Sequence, residues 1–397
     1  MQLSHRVREL SESQTIAMAR RSRELLAQGI DVISLSLGEP DFFTPDSIKN
    51  AACEAIRENY SFYTHVSGYL ELRKAICTKF LRDNQLQYQP EEIVVSTGAK
   101  QSIANVLLCL LNPGDEVIVP APYWVSYLEL IKLTGAVAKV IPTYIGDNFK
   151  LTAEALSKNI TPKTRCIIFS SPCNPTGSVY SEKELSNLAK VVLEHPELYV
   201  VSDEIYEHIL FSGTHTSMAH ITGMKERTAI INGVSKGFAM TGWRGGIMAA
   251  PDWLAKACDK MQGQFTSATS SITQKAMHAA MLLDPATTHP MRDAFQRRRD
   301  LVVQGLKKIK GFKCNIPDGA FYVFPEVSGF FGKKGAGKLI QNATDLCMYF
   351  LDVAQVALVP GSAFGDDRYL RLSYATSDEK LKDALHRIEK AVHLLTD

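Results

Sequence analysis

The 397-residue sequence lacks several features that would place a protein in a special class. No run approaches the roughly 18 uncharged apolar residues that span a bilayer, and the N-terminus has no signal-peptide core. The 44 basic and 42 acidic side chains leave a formal charge of +2, which gives no electrostatic reason to bind nucleic acid or an anionic membrane. We therefore expect a soluble protein that acts on small molecules.

The cysteines lack the spacing of a metal or disulfide site. There is no CxxC pair and no histidine at metal-ligand spacing, so we predict no metal and reduced thiols in a cytoplasmic protein. The sequence also has no GxGxxG after a strand and no Walker motif, which argues against dinucleotide and P-loop sites. The eight scattered cysteines are Cys53, Cys77, Cys109, Cys166, Cys173, Cys258, Cys314 and Cys347.

What the chain does have is an alternation of short apolar runs with helical patterns. Ser102 to Leu111 and Glu182 to Leu193 carry apolar residues at helix period. This alternation predicts an α/β fold with a mostly parallel sheet, which binds ligands at the carboxyl ends of its strands. The predicted strands are Glu92 to Ser96, Glu116 to Val119, Cys166 to Phe169, Tyr199 to Val201 and Ala229 to Ile231.

The length predicts two domains, because a single core rarely supports about 400 residues. Near residue 290 an arginine-rich helical stretch leads to a second region with its own predicted strands, Ala320 to Phe324 and Tyr369 to Tyr374. We place the domain boundary there. Lys333 to Lys338, rich in glycine and lysine, is predicted to be a mobile surface loop.

Two ionisable residues follow predicted strands. Asp203 comes after Tyr199 to Val201, where a buried carboxylate is costly unless it meets a cation, although a single aspartate there also suits a helix cap. Lys236 follows Ala229 to Ile231, and its amine could bind a carbonyl cofactor, although most lysines are solvated surface charges. Neither residue identifies a site without the other.

Two further segments suit a phosphate. Arg244 lies in Thr241-Gly242-Trp243-Arg244-Gly245-Gly246, and a guanidinium fork binds phosphate through two hydrogen bonds. Thr97-Gly98-Ala99-Lys100 ends a strand and opens a helix, so its amides could form the other half of a cradle. The alternative for each glycine is an ordinary turn.

Together these segments resemble the class I aminotransferases, pyridoxal-phosphate enzymes of fold type I, from about Ser34 to Ala375. The resemblance implies an α/β/α large domain at 46–290 and a smaller α+β domain formed by 1–45 and 291–397. It rests on Ser36-Leu37-Gly38-Glu39-Pro40-Asp41-Phe42, Asn174-Pro175-Thr176-Gly177, Ser202-Asp203-Glu204-Ile205-Tyr206, Ser235-Lys236 with Trp243-Arg244, and Arg371-Leu372-Ser373-Tyr374.

The resemblance also implies roles at the cofactor. Lys236 is the catalytic residue, which carries pyridoxal phosphate as a Schiff base and then moves a proton. Asp203 pairs with the ring nitrogen, Tyr206 and Asn174 donate to the phenolate oxygen, and Trp124 stacks on the ring. The phosphate is held by Arg244, Ser235, the amides of Ala99 and Lys100, and Tyr63 of the neighbouring subunit, so we expect a homodimer with shared sites.

For the substrate, the resemblance implies that Arg371 grips the α-carboxylate, with Gly38, Asn174 and Trp124 beside it. Lys100, with the hydroxyls of Ser13 and Thr15, resembles the group that meets the distal carboxylate in prokaryotic-type aspartate aminotransferases. We therefore expect transfer of the amino group from aspartate to 2-oxoglutarate. One departure is Gly233, because many relatives have a phosphate-binding serine three residues before the lysine; Ser235 and Tyr63 would compensate.

Other activities remain open. An aromatic, alanine or prephenate aminotransferase, or a C–S lyase, would use the same fold, and relatives that act on prephenate tend to carry a basic residue where Ser11 stands. A cofactor-sensing transcription regulator would need an added DNA-binding domain, whereas the aminotransferase pattern begins within the first 40 residues. A silent binding protein would not need Lys236, Asp203 and Arg371 together.

Overall fold

The structure is a computed structural model that describes residues 3–12 and 14–397. Its helices are α1 (His5–Glu9), α2 (Gln14–Ala27), α3 (Asp46–Arg57), α4 (Leu70–Asn84), α5 (Ala99–Leu110), α6 (Ser126–Thr134), α7 (Ala153–Asn159), α8 (Glu182–Leu193), α9 (Asp252–Phe265), α10 (Ser271–Leu282), α11 (His289–Lys308), α12 (Ala343–Tyr349) and α13 (Asp378–His393). Its strands are β1 (Ile33–Ser34), β2 (Ile93–Thr97), β3 (Glu116–Ala121), β4 (Val137–Pro142), β5 (Thr164–Ser170), β6 (Tyr199–Asp203), β7 (Thr228–Gly233), β8 (Gly245–Ala249), β9 (Tyr322–Val323), β10 (Lys334–Gly335), β11 (Lys338–Leu339), β12 (Val356–Ala357), β13 (Val359–Pro360) and β14 (Leu370–Ser373).

A seven-stranded sheet forms the centre of the larger part of the chain. Its strand order is β2-β8-β7-β6-β5-β3-β4, and every neighbouring pair is parallel except those that β8 makes with β2 and β7. The five strands predicted between residues 92 and 231 all belong to this sheet, whereas the two predicted at 320–324 and 369–374 contain β9 and β14 of a separate sheet. The predicted α/β class with a mostly parallel sheet is therefore confirmed.

Both faces of the sheet are buried, which explains why its strands are continuous apolar runs. In β2, Val94 packs on one face with residues of α5, α6 and α9, while Ile93 and Val95 pack on the other with residues of α3, α4 and α10. In β6, Val201 and Val200 divide in the same way. The result is the α/β/α layering that was predicted.

A second hydrophobic cluster is built mainly from the C-terminal region. Side chains of α11, α12 and α13 pack there against the antiparallel sheet β13-β14-β9. Ile33 of β1 belongs to the same cluster, and β1 pairs with β12 in parallel, so the N-terminal region attaches to the C-terminal one. This packing favours the division into 46–290 and 1–45 with 291–397, which stays a prediction.

Helix α5 begins at Ala99, directly after β2, so Thr97-Gly98-Ala99-Lys100 ends a strand and opens a helix as predicted. Gly98 adopts a φ of +87°, which suits glycine. The predicted mobile loop at Lys333 to Lys338 is wrong, since β10 and β11 form a hairpin there, with Lys334 also bonded to Thr396. In the described parts of the chain, no helix is long and apolar enough to cross a membrane.

Candidate active site

A cavity of about 250 Å³ opens at the carboxyl ends of β5, β6 and β7. It gathers residues that are far apart in the sequence, as the topology of a parallel sheet predicts. Most of the residues predicted to bind cofactor or substrate line it, among them Gly38, Ala99, Lys100, Trp124, Asn174, Asp203, Tyr206, Ser235, Lys236, Arg244 and Arg371.

Lys236 lies on the turn after β7 and points into the cavity. Its Nζ donates a hydrogen bond of 2.6 Å to the carbonyl oxygen of Gly38. Burial lowers the pKa of Lys236 to about 8, and the nearby guanidinium groups of Arg371 and Arg244 act in the same direction, while Glu39 opposes them. Near neutral pH a useful fraction of this amine is therefore unprotonated.

Asp203 is the last residue of β6, and its carboxylate is buried. The Tyr127 hydroxyl donates to its Oδ2 at 2.7 Å, and the Ile205 amide donates to its Oδ1 at 3.4 Å. Burial raises the pKa of Asp203 to about 6 in spite of these bonds. No helix follows Asp203, so the alternative role as a helix cap does not apply. Both of these hydrogen-bond partners are neutral, and no ion pair reaches Asp203 among the described residues, so a cation would complete its environment.

Arg371 lies on β14 and reaches the cavity from the opposite side. Its Nη1 donates to Asn174 Oδ1 at 3.0 Å, and its Nη2 donates to the carbonyl oxygen of Ser36 at 2.6 Å. Its buried Nε has no hydrogen-bond partner among the described residues. The guanidinium is 4.6 Å from the ring centre of Tyr322 and 4.9 Å from that of Phe364. An arginine held this firmly, with a donor to spare, suits a carboxylate.

A candidate phosphate cradle forms where α5 meets the turn before β8. Ala99 and Lys100 begin α5, so their amides have no acceptor within the helix. Arg244 adopts a φ of +59° and donates from Nη1 to the carbonyl oxygen of Thr241 at 2.8 Å. A Cβ at Gly98 would contact the Arg244 guanidinium, so glycine is required for this approach. Ser235 completes the lining.

Gly233, the departure from the family pattern, has a packing reason. A Cβ there would lie 2.6 Å from the carbonyl oxygen of Gly245 and 3.1 Å from the Cα of Gly246. Strands β7 and β8 therefore approach too closely for a serine at this position. A phosphate ligand from this strand end would have to come from Ser235.

Lys100 and Trp124 form one wall of the cavity. The Lys100 Nζ lies 5.1 Å from the centre of a Trp124 ring. Burial and the nearby Arg244 lower the pKa of Lys100. Of the hydroxyls named with it, Thr15 lines the cavity, whereas Ser13 lies outside the described residues.

Among the predicted site residues that the structure describes, Tyr63 is the one that does not line the cavity. Its side chain is 97% exposed in the single chain, and its neighbour Phe62 is 81% exposed. The expectation that Tyr63 serves another subunit requires such exposure. Its role stays a prediction.

Two tyrosines that the sequence analysis missed belong to the site. The Tyr322 hydroxyl shares a hydrogen bond of 2.7 Å with the Tyr206 hydroxyl. It also lies so close to Gly38 that a Cβ on Gly38 would overlap it. Tyr127 supplies the hydrogen bond to Asp203. Burial raises the pKa of Tyr206 well above its ordinary value, so its hydroxyl remains a donor. No short motif marks Tyr322 or Tyr127, because both pack as ordinary apolar residues along their elements.

Comparison with known proteins covers nearly the whole chain. Residues 30–388 match the family model of the class I and II aminotransferases. The bifunctional aspartate aminotransferase and glutamate/aspartate-prephenate aminotransferase of Petunia hybrida is 48% identical over 98% of this chain and 82% of its own. The aspartate/prephenate aminotransferase of Cereibacter sphaeroides is 46% identical over 98% of both chains.

A solved structure agrees with the fold throughout. The aspartate aminotransferase of Rhizobium meliloti has a TM-score of 0.96 and 43% identity, with full coverage of both chains. The predicted resemblance is confirmed. Because the family model spans both regions of the fold and relatives above 40% identity align over almost all of it, the chain belongs to the class I and II aminotransferases.

Proposed function

We propose that the protein is a pyridoxal-phosphate-dependent aspartate aminotransferase, which transfers the amino group of aspartate to 2-oxoglutarate in a ping-pong reaction and so yields oxaloacetate and glutamate. The observation that carries this proposal is the lining of one cavity by an amine of lowered pKa, Lys236, a buried carboxylate, Asp203, and two further cations, Arg371 and Lys100. Relatives such as the Rhizobium meliloti protein are named aspartate aminotransferases.

The residues present fit pyridoxal phosphate. Asp203 is a buried carboxylate with a raised pKa and no ion pair among the described residues, and a protonated ring nitrogen would supply the missing cation. The first amides of α5 and the Arg244 guanidinium would hold the phosphate. When bound, the group supplies an electron sink for the electron pair left by a broken Cα–H bond.

The chain's own residues then hold the substrate and move the proton. Arg371 fixes the α-carboxylate of the substrate. With that group held, the bond at Cα that faces Lys236 is the Cα–H bond. The Lys236 Nζ accepts the proton from Cα, because its lowered pKa leaves part of it unprotonated at neutral pH, and it would then deliver that proton to the cofactor end of the 1,3-proton shift that transamination requires. The Tyr206 and Asn174 side chains remain donors toward the cavity.

Two cations on the cavity wall favour a dicarboxylic amino acid. Arg371 serves the α-carboxylate, and Lys100, which lines the cavity and has no acidic partner among the described residues, meets the distal one. The Thermus thermophilus aspartate aminotransferase was solved with maleate, a four-carbon dicarboxylate, and has a TM-score of 0.93 and 39% identity over 98% of this chain and all of its own. Glutamate is one methylene longer, a difference of about 1–3 kcal/mol that the same pocket tolerates.

Prephenate is a second candidate substrate, because several relatives at 43–48% identity are named aspartate/prephenate aminotransferases or bear both names. Prephenate also carries a second carboxylate for Lys100. The position associated with this activity, Ser11, donates its amide to Glu129 at 2.9 Å and does not line the cavity. We therefore rank aspartate first.

The proposal includes a homodimer with shared sites. Three aromatic side chains, Phe43, Phe62 and Tyr63, are 93%, 81% and 97% exposed in the single chain, and such exposure marks surfaces that are covered by a partner. We expect Tyr63→Phe to weaken cofactor retention. Mixing it with Lys236→Ala should restore activity, because one site of each hybrid dimer has both residues intact. A fully active monomer in sedimentation would overturn this part.

A cytoplasmic location also belongs to the proposal. All eight cysteines are free thiols. Unpaired cysteines in this number suit a reducing compartment. Fractionation of cells that express the tagged protein at native level would test it.

The function is tested by a half-reaction screen. Each amino acid is added alone to the cofactor-loaded enzyme, and the absorbance of the bound cofactor is followed in single turnover. We expect aspartate and glutamate to react fastest, with alanine and aromatic amino acids far behind. Prephenate is then offered as acceptor to the aminated enzyme. No reaction with aspartate, or a clear preference for alanine or aromatic substrates, would refute the proposal.

A further inference from the structure

Residues 36–42 form a segment that touches the two most important side chains of the site through its backbone. The carbonyl oxygen of Ser36 accepts from Arg371 Nη2 at 2.6 Å, and that of Gly38 accepts from Lys236 Nζ at 2.6 Å. The position of this segment therefore decides where the guanidinium and the amine stand in the cavity.

The backbone of this segment lacks the regular hydrogen bonds of a helix or strand. Residues 36–42 belong to no helix or strand, and within the described chain no backbone-to-backbone hydrogen bond joins them to another element. Their neighbour Leu35 is the last residue bonded on both sides, to Ala357 and Ser373. The placement of the two carbonyls thus depends on what anchors the far end of the segment.

Two side-chain contacts hold that end, and in the first the Thr241 hydroxyl donates to the Glu39 carboxylate. The second, a two-pronged ion pair, comes from Arg298 of α11. Its Nη1 and Nη2 donate to the two carboxylate oxygens of Asp41 at 2.7 and 3.0 Å, and its Nε donates to Asp378 at 3.2 Å. Only 8% of the Arg298 side chain is exposed. The guanidinium also lies 5.2 Å from the ring centre of Phe42, whose ring meets Phe295 edge-on at 5.4 Å. A two-pronged pair of this kind fixes direction as well as distance.

We infer that Arg298 is a positioning residue for transamination, which acts through Asp41 to set the carbonyls of Ser36 and Gly38 against Arg371 and Lys236. This inference rests on the proposed function for its substrate. Without the anchor, carboxylate binding must order the segment each time, so that affinity falls while the chemical groups themselves stay intact.

The chain offers a matched control. Arg297, the neighbouring residue, also pairs with Asp378, at 2.9 Å from Nε, but it is exposed and does not contact Asp41. Arg298→Met and Arg297→Met therefore both remove a cation from Asp378, and the first alone releases the segment. Asp41→Asn weakens the same anchor from its more exposed side.

The experiment measures kcat and KM for aspartate, the Kd of maleate by calorimetry with and without cofactor, and the unfolding midpoint of each variant. For Arg298→Met we expect a fall in kcat/KM of roughly 10- to 100-fold, mostly through KM, with a parallel rise in the Kd of maleate. Arg298→Lys should recover part of the loss. Arg297→Met should stay within about twofold of the wild type, the range of a surface ion pair.

Asp41→Asn should shift the Kd of maleate in the same direction, and adding it to Arg298→Met should cause little further loss, because both variants break one contact. If Arg298→Met does not fold, Asp41→Asn carries the test. An unchanged Kd of maleate in Asp41→Asn and in any folded Arg298→Met would overturn the inference, whatever the unfolding midpoints. A wild type that binds maleate but does not transaminate aspartate would instead refute the proposed function.

Discussion

Two buried carboxylates, Asp203 at the end of β6 and Glu207 four residues later, have surroundings that differ in kind. Burial raises the pKa of Asp203 to about 6, since its hydrogen-bond partners, the Tyr127 hydroxyl and the Ile205 amide, are neutral. Burial would also raise the pKa of Glu207, but the Lys79 ammonium, aided by two histidines, holds it well below its ordinary value. The cost of burying the charge is therefore uncompensated at Asp203, whereas at Glu207 an opposite charge offsets it.

The surroundings of Glu207 are complete within the chain. It forms a close ion pair with Lys79, and it accepts from Asn84 Nδ2 at 3.0 Å and from Asn232 Nδ2 at 2.8 Å. Asn232 in turn accepts from the Gly233 amide at 2.7 Å, directly before the turn that carries Lys236. A buried charge that the chain satisfies belongs to the framework, whereas one left without a counter-ion indicates a ligand.

The sharpest test of this distinction removes, in separate variants, Lys236 of the cavity and Lys79, the partner of Glu207. Lys236→Ala should lower the turnover of aspartate by at least about 10⁴-fold, because the group that moves the proton is lost. The protein should still fold and bind the cofactor noncovalently. Single-turnover absorbance measures the first effect and equilibrium dialysis the second. Near-normal turnover would contradict the assignment.

Lys79→Met should do the reverse, with a large loss of stability. Breaking a buried ion pair by removing one partner leaves the other charge unpaired, at a cost of about 3–5 kcal/mol. Urea unfolding of the cofactor-free protein gives the value. The double variant Lys79→Met with Glu207→Leu serves as the control, and it should be more stable than Lys79→Met alone. Equal stabilities would mean that the pair contributes little to the framework.

Lys100→Ser removes a cavity cation that has no acidic partner among the residues the structure describes. Loss of a charge-assisted hydrogen bond of about 1.5–3 kcal/mol should lower kcat/KM for aspartate roughly 10- to 150-fold. Alanine, which has no distal carboxylate, should lose far less. Single-turnover kinetics of both amino acids isolates the effect in their ratio. Equal losses would show that Lys100 serves the cofactor rather than the substrate.

The two carboxylates should respond to pH with opposite signs. A raised pKa means that the folded protein binds the Asp203 proton more tightly than the unfolded protein does. Asp203 therefore destabilises the folded protein increasingly as the pH rises from 3.8 to about 6, and the full destabilisation is present above about pH 6. In cofactor-free protein, Asp203→Asn should thus add about 1–3 kcal/mol near pH 7.5 and nothing near pH 4.

Glu207→Gln is the control for this pH experiment. Because the pKa of Glu207 is lowered in the folded protein, Glu207 stabilises the fold at pH values above its ordinary pKa of 4.5. This contribution is lost as the pH falls below 4.5. The substitution should therefore destabilise the protein near pH 7.5. Urea titrations across the pH range measure both variants, and a shared sign would refute the distinction between the two carboxylates.

Many of the site residues could be predicted from the sequence because they lie at or just after the ends of strands. Asp203 and Lys236 were predicted as polar residues at strand ends, and the parallel order of β6 and β7 brings them to one edge. The same reasoning could not find Tyr127 and Tyr322, since a tyrosine within an apolar helix or strand has the pattern of a core residue. The hairpin at 333–338 was missed because its pairing with the C-terminus is not local.

By itself, the sequence determined the fold class, the family and the chemistry of the strand ends, because apolar periodicity and short motifs are local properties. Tertiary structure decided which charges stand alone. Glu207 has a counter-ion and Asp203 does not, because the fold brings Lys79, more than 120 positions earlier, to Glu207. The ion pair between Arg298 and Asp41 likewise joins residues 257 positions apart. Such pairs arise only when distant segments pack together, since burial makes charges costly and leaves the fold to supply or withhold their partners.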